Sequence, residues 1–180
     1  MAYTISMKHL LLAVCLALVP LSGASFPSVE GKTFADLDIM FPDDLLTDEE
    51  VVVAITLSSS RKNGEEQQEA FLEWQKRLTE PTSPLREATI YHVAVIDGVP
   101  FFVRGTIRKG IAKEYASVVE PSFGVVLFLS KAERFAAQAG IPIDGQPTLV
   151  VLTQDGTVKG FVKGAYSEER RDQLAQLLGG

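Results

Sequence analysis

The sequence predicts an α/β fold: a three-layer sandwich whose mixed sheet has parallel core strands and ends in a β-hairpin plus helix. Three observations predict it. Val51 to Leu57 is an unbroken apolar, largely β-branched run, the pattern of a strand buried on both faces. From there to Gly140, strand-like and helix-like segments alternate, which implies parallel strands joined by helical crossovers. Near the C-terminus, Gln154-Asp155-Gly156 separates two apolar runs and signals a hairpin.

The elements follow in order. Residues 25–48 form a lead-in rich in Pro, Gly and Asp, in which Phe34, Leu37, Ile39 and Phe41 mark one short strand or edge before a turn at Pro42-Asp43-Asp44. The strand 51–57 runs into a serine-rich turn, Ser58-Ser59-Ser60-Arg61-Lys62. Asn63, with Glu66 three residues on, is read as the capping box of a helix that turns Phe71, Trp74 and Leu78 inward. Pro81 and Pro84 end it. A second strand spans 90–96. The next helix spans 101–116, with Val103, Ile107, Ile111 and Tyr115 one turn apart. A third strand spans 124–129. Ser130 to Glu133 reads as a capping box for a short helix that stops at Gly140. Strands over 148–152 and 157–162 form the hairpin, and Ser167 caps a last helix ending near Leu178.

Composition bounds the function. The 180 residues carry 17 Lys and Arg against 23 Asp and Glu, a net charge of −6, which argues against nonspecific nucleic-acid binding. Lys8 and His9 precede an apolar run from Leu10 to Leu21 and the small residues Ser22-Gly23-Ala24. The run is shorter than the roughly 20 residues a membrane span needs. Residues 1–24 therefore read as a signal peptide, with an uncleaved anchor as the other open reading, and the protein as exported to the periplasm or secreted after cleavage near Ala24. Cys15, the single cysteine, lies in that segment, so residues 25–180 hold no thiol. His92 is the one histidine there, and a metal site needs several ligands, so neither metal nor cofactor is expected. No Gly-x-Ser-x-Gly elbow accompanies the serines, and no Ser/His/Asp triad is expected.

The order of elements resembles the thioredoxin-like superfamily, nearest its peroxiredoxin and TlpA-like branch. The resemblance is carried by Gly145-Gln146-Pro147-Thr148-Leu149-Val150-Val151-Leu152 followed by Asp155-Gly156, and by the position of the Ser58–Lys62 turn between strand and helix. It implies a cis Pro147 facing that turn. The chain departs from the pattern where it matters most: Ser59-Ser60-Arg61-Lys62 stands in the region of the redox Cys-x-x-Cys. Thiolate sulfur is the nucleophile and electron carrier of that chemistry, so the activity does not carry over. Phe41 to Leu45, the helix from Gln67 to Trp74, and Phe102 to Ile111 further resemble cysteine-poor thioredoxin-like proteins. These are the bacterial periplasmic YtfJ-type proteins and, more remotely, the Atp10 assembly factors.

Three candidate sites follow. Ser59, Ser60, Arg61 and Lys62 sit at a strand C-terminus and a helix N-terminus, where a cradle for an anion or partner loop and a plain solvated cap are both open readings. Gln146 and Pro147, with a cis bond, would offer a backbone edge to extended peptide; a purely structural proline is the other reading. Arg104, Arg108 and Lys109, with Lys113, form a basic helix face, either a solvated surface or a dock for an acidic partner or anionic membrane. The function expected is a redox-inactive binder of a peptide or protein partner, an envelope assembly or chaperone-like factor. The alternative is an anionic-ligand carrier or degenerate enzyme using the Ser58–Lys62 turn.

Overall fold

The computed structural model describes residues 23–58 and 60–179; the signal-like run from Leu10 to Leu21, and Ser59, lie outside them. The described elements are β1 (Val29–Thr33), β2 (Asp38–Phe41), β3 (Val51–Leu57), α1 (Arg61–Leu78), β4 (Ile90–Asp97), α2 (Phe101–Tyr115), β5 (Gly124–Leu129), α3 (Ala132–Gln138), β6 (Thr148–Leu152), β7 (Val158–Lys163) and α4 (Glu168–Gly179). All seven β3 side chains are buried, as its two-sided apolar run requires.

One sheet has the order β2-β1-β5-β4-β3-β6-β7. The centre β5-β4-β3 is parallel, and β1, β2, β6 and β7 are added antiparallel. Period-two alternation splits β3 between two cores. Val51, Val53, Ile55 and Leu57 meet Phe135 of α3 together with Phe26 and Phe41. Val52 and Ala54 meet Phe71, Trp74 and Leu78 of α1 and Leu174 of α4. On that same side, Ala94 and Val126 carry Ile111 and Tyr115 of α2. Full burial of Phe71, Trp74 or Leu78 is worth about 2–3 kcal/mol each. Trp74 also donates its indole N–H to Gly164 O at 3.0 Å, tying α1 to the end of β7. No helix among the described residues is long and apolar enough to cross a membrane.

The lead-in departs from the expected single strand. It forms a hairpin, β1–β2, that pairs with β5 and adds two strands to the sheet. Phe34, expected within a strand, stands in the connection and packs over Gly124, where a Cβ would lie 1.9 Å from the ring. Asp36 makes the turn at φ 69°, a conformation that Asp tolerates better than most residues.

Two helix starts also differ. The side chain of Ser60, not Asn63, caps α1, its Oγ accepting from the Asn63 N–H at 3.2 Å. Ser60 is extended, so the helix begins three residues earlier and frees the Asn63 side chain for another task. Nor does Ser130 cap α3: Asp97, at the end of β4, takes the Ala132 N–H on Oδ2 at 3.2 Å. Ser167 caps α4 as expected, accepting from the Arg170 N–H.

Candidate functional site

The turn after β3 is held from beneath by Gln67, a polar residue 1% exposed on the inner face of α1. Its Oε1 accepts from the Leu57 N–H at 3.2 Å, and its Nε2 donates to Leu57 O at 3.0 Å and to Asn63 Oδ1 at 2.9 Å. Asn63 Nδ2 in turn donates to Gly145 O at 2.8 Å. This chain of bonds satisfies the buried end of β3 and pins the 145–147 loop beside the turn. In the sequence Gln67 falls at helical spacing with Phe71, Trp74 and Leu78. A polar residue in register with Phe71, Trp74 and Leu78 was the available signal.

The cations of the turn are engaged with their own helix. Arg61 Nε bonds Glu65 at 2.7 Å with its side chain 93% exposed, and Lys62 lies 3.6 Å from Glu66. Gln146 and Pro147 are close by, but their backbone is largely used. The Gln146 N–H bonds Asp144 Oδ1, Gln146 O accepts from the Thr148 hydroxyl, and Pro147 O accepts from the Gly164 N–H at 2.8 Å. The one cis peptide bond among the described residues precedes Pro42, not Pro147. The resemblance-based expectation of a cis Pro147 is therefore corrected.

The basic face on α2 is not continuous either. Arg108 is 6% exposed and points to the β1–β2 turn, where it pairs with Asp36 at 2.6 Å and reaches Thr33 O. Arg104 is half-buried, donating to Val99 O and lying over the Phe128 ring. Lys109 and Lys113 alone of the four are exposed. Arg108 shares its helical stripe with Ile111 and Tyr115, so the added hairpin covers it and Asp36 compensates its charge.

Among the described residues, a concavity lies between α1 and α2, at the C-terminal ends of β3 and β4. The two helices meet over His92, whose ring touches Phe71 at 6.3 Å and Tyr115 at 5.1 Å between centroids. Toward the strand ends they leave a groove of about 1020 Å³. Thr56, Val95 and Ile96 line it from the sheet, and Leu72, Ile107 and Ile111 from the helices. Glu65 and Glu69 of α1, Glu114 of α2 and Asp97 also line it, with Arg61 as the one cation. Gly110 stands on the α2 wall, where a Cβ would meet nothing within 4 Å, so packing does not require that glycine. Phe101 and Phe102, 85% and 83% exposed, begin α2 at the same end of the sheet.

His92 lies in the core beside Phe71 and Tyr115 and is not among the residues that line the groove. Nε2 is 3.0 Å from Gln75 Oε1, and Nδ1 is buried without a hydrogen-bond partner. Burial holds the imidazole down at about 3, neutral at physiological pH. Burial also pushes the Tyr115 hydroxyl up, opposed by its bond to Thr56. Neither His92, bonded to Gln75, nor Asp97, capping α3, pairs with Ser58 or Ser60.

No protein-family model matches the sequence, and no curated protein matches it. Solved structures do match, and extensively. A candidate electron transfer protein from Aquifex aeolicus VF5 superposes with a TM-score of 0.60 at 12% identity, over 87% of this chain and 95% of that one. Yeast Sco1 with copper bound gives 0.57 at 11% identity, over 87% and 94%. BsSco, of the Sco family of cytochrome c oxidase assembly proteins, gives 0.56 at 11% identity, over 87% and 92%. The fold is thioredoxin-like. At these identities the likeness concerns the fold alone.

Among the described residues, the donor chemistry of the groove does not suit copper or thiol redox. Copper(I) favours soft thiolate and thioether ligands and imidazole. The groove offers hydroxyls, carboxylates and a guanidinium, and His92 is sealed between Phe71 and Tyr115. Among the described residues, no three His, Cys, Asp or Glu are grouped to hold a metal.

Proposed function

We propose that this thioredoxin-like protein is an exported, redox-inactive binding factor that receives a segment of a protein partner in the groove between α1 and α2. Its role is assembly or chaperone-like, as its resemblance to YtfJ-type and Atp10 proteins suggests and as BsSco's family name states for that protein. The observation that carries the reading is the groove itself. It lies at the end of the sheet where open α/β folds bind ligands, Val95 and Ile96 line its floor, and none of the described residues lining it is a thiol.

An anionic-ligand carrier has less support. An anion in the groove meets four carboxylates, while Arg61 and Lys62 are paired with Glu65 and Glu66. Docking on an anionic membrane through α2 is likewise weakened by the burial of Arg108.

The test is photocrosslinking in cells from a probe at position 61 and a second at position 110, read by mass spectrometry. The expected result is one recurrent protein captured at both positions from an exported chain whose N-terminus is Ser25. A folded, exported chain that captures nothing at either position overturns the reading.

A further inference from the structure

The groove has a charge asymmetry that bears on what fills it. Glu69 on α1 and Glu114 on α2 stand on its opposite walls, both exposed, and neither carboxylate has a hydrogen bond or ion pair with another described residue. Their neighbours Lys109 and Lys113 on α2 are not among the groove residues. Leu72, Ile96, Ile107 and Ile111 line the same groove, an apolar surface of which Ile111 alone is buried. The site thus combines apolar surface with two uncompensated negative charges set across it.

Resting on the binding role proposed above, we infer that the occupant is a basic, apolar segment of a partner protein. Its aliphatic side chains lie on Ile96, Ile107 and Ile111, and a Lys or Arg sits between Glu69 and Glu114. Charge complementarity selects the sign, since a cation there is attracted from both walls whereas an acidic segment is repelled by both. The topology selects the mode. The strands under the groove, β3 and β4, each have two neighbours in the sheet, whose edges are β2 and β7. The segment therefore binds through side chains and not by adding a strand. The groove's volume reaches the upper end of the roughly 300–1,000 Å³ of small-molecule pockets and suits a few residues of peptide. Gly110 keeps the α2 wall low where the segment enters.

The test uses the protein's residues 25–180 and a fluorescein-labelled amphipathic 12-residue peptide of Leu and Lys, read by anisotropy. Comparators are a Leu/Glu peptide and a Ser/Lys peptide. The Leu/Lys peptide is expected to bind, and E69Q/E114Q to weaken it about tenfold, as loss of two interfacial charges does. E30Q/E49Q, which removes the same charge from exposed positions outside the groove, is expected to leave affinity unchanged. Equal loss in both double variants, equal binding of the Ser/Lys peptide, or binding of the Leu/Glu peptide overturns the inference. So does failure of the Leu/Lys peptide to bind. Recurrent capture from position 110 of a partner whose crosslinked segment is acidic would sink this inference while leaving the binding role intact.

Discussion

Acidification should destabilise this protein through His92 in a calculable way. The imidazole is 2% exposed, held at about 3 in the folded state against an ordinary value of 6.5. With Gln75 Oε1 as acceptor, Nε2 carries the proton and Nδ1 is a bare lone pair in the core. Protonating Nδ1 places a charge and an unpaired N–H among Phe71 and Tyr115. Below 6.5 the unfolded chain takes up a proton that the folded chain refuses until about 3, so stability is lost as pH falls through that window. At about pH 4.5, two units into the window, the loss is roughly 2–3 kcal/mol relative to pH 7. The assay is urea unfolding of the native sequence and His92→Leu at both pH values. The variant keeps similar volume and removes the orphaned nitrogen, so at pH 7 the two should agree within about 1.5 kcal/mol. At pH 4.5 the variant should have lost less by the stated amount, the other titrating groups being common to both. Parallel pH profiles would refute the argument and mean that Nδ1 reaches water.

Gln67→Leu should cost roughly 2–4 kcal/mol in urea unfolding, because it leaves the Leu57 N–H and C=O buried without partners. Arg108→Ala should cost about 1–2 kcal/mol through lost packing and the lost Asp36 pair, whose carboxylate is 60% exposed and can rehydrate. Lys109→Ala on the same helix should stay within about 0.5 kcal/mol. Gly110→Ala should raise stability by up to about 1 kcal/mol in urea unfolding, since a Cβ meets nothing there.

The core of the fold was written in local patterns. The run 51–57, the alternation of strands and helices and the 154–156 turn each specify an element without needing a distant partner, and they appear where expected. The hairpin of the lead-in was harder to read. Its strands lie at the sheet margin, where β1 and β2 keep exposed polar residues such as Glu30 and Asp38 and lose the apolar signature. Capping failed at α1 because two good caps, Ser60 and Asn63, compete three residues apart, and tertiary bonds to Gln67 and Gly145 recruit Asn63 elsewhere. At α3 the cap comes from Asp97, 35 residues upstream, which no local motif encodes. Arg108 was misplaced for the same reason: its partner Asp36 is remote in sequence, so four cations in ten residues looked like one open face. The groove follows from where α1 and α2 separate beyond His92, a property of two packed helices that neither helix's sequence announces.

The Arg108–Asp36 pair has a consequence for how binding could be adjusted over evolutionary time. It fastens one wall of the groove, α2, to a hairpin that lines no part of it. The other wall, α1, is anchored to the sheet by Phe71, Trp74 and Leu78 and has little freedom to vary. Substitutions in the β1–β2 turn can therefore reset the tilt of α2, and with it the width offered to a partner, while every ligand-facing residue is retained. Affinity and contact chemistry become separable traits, one set by a remote tether and the other by the groove's own side chains.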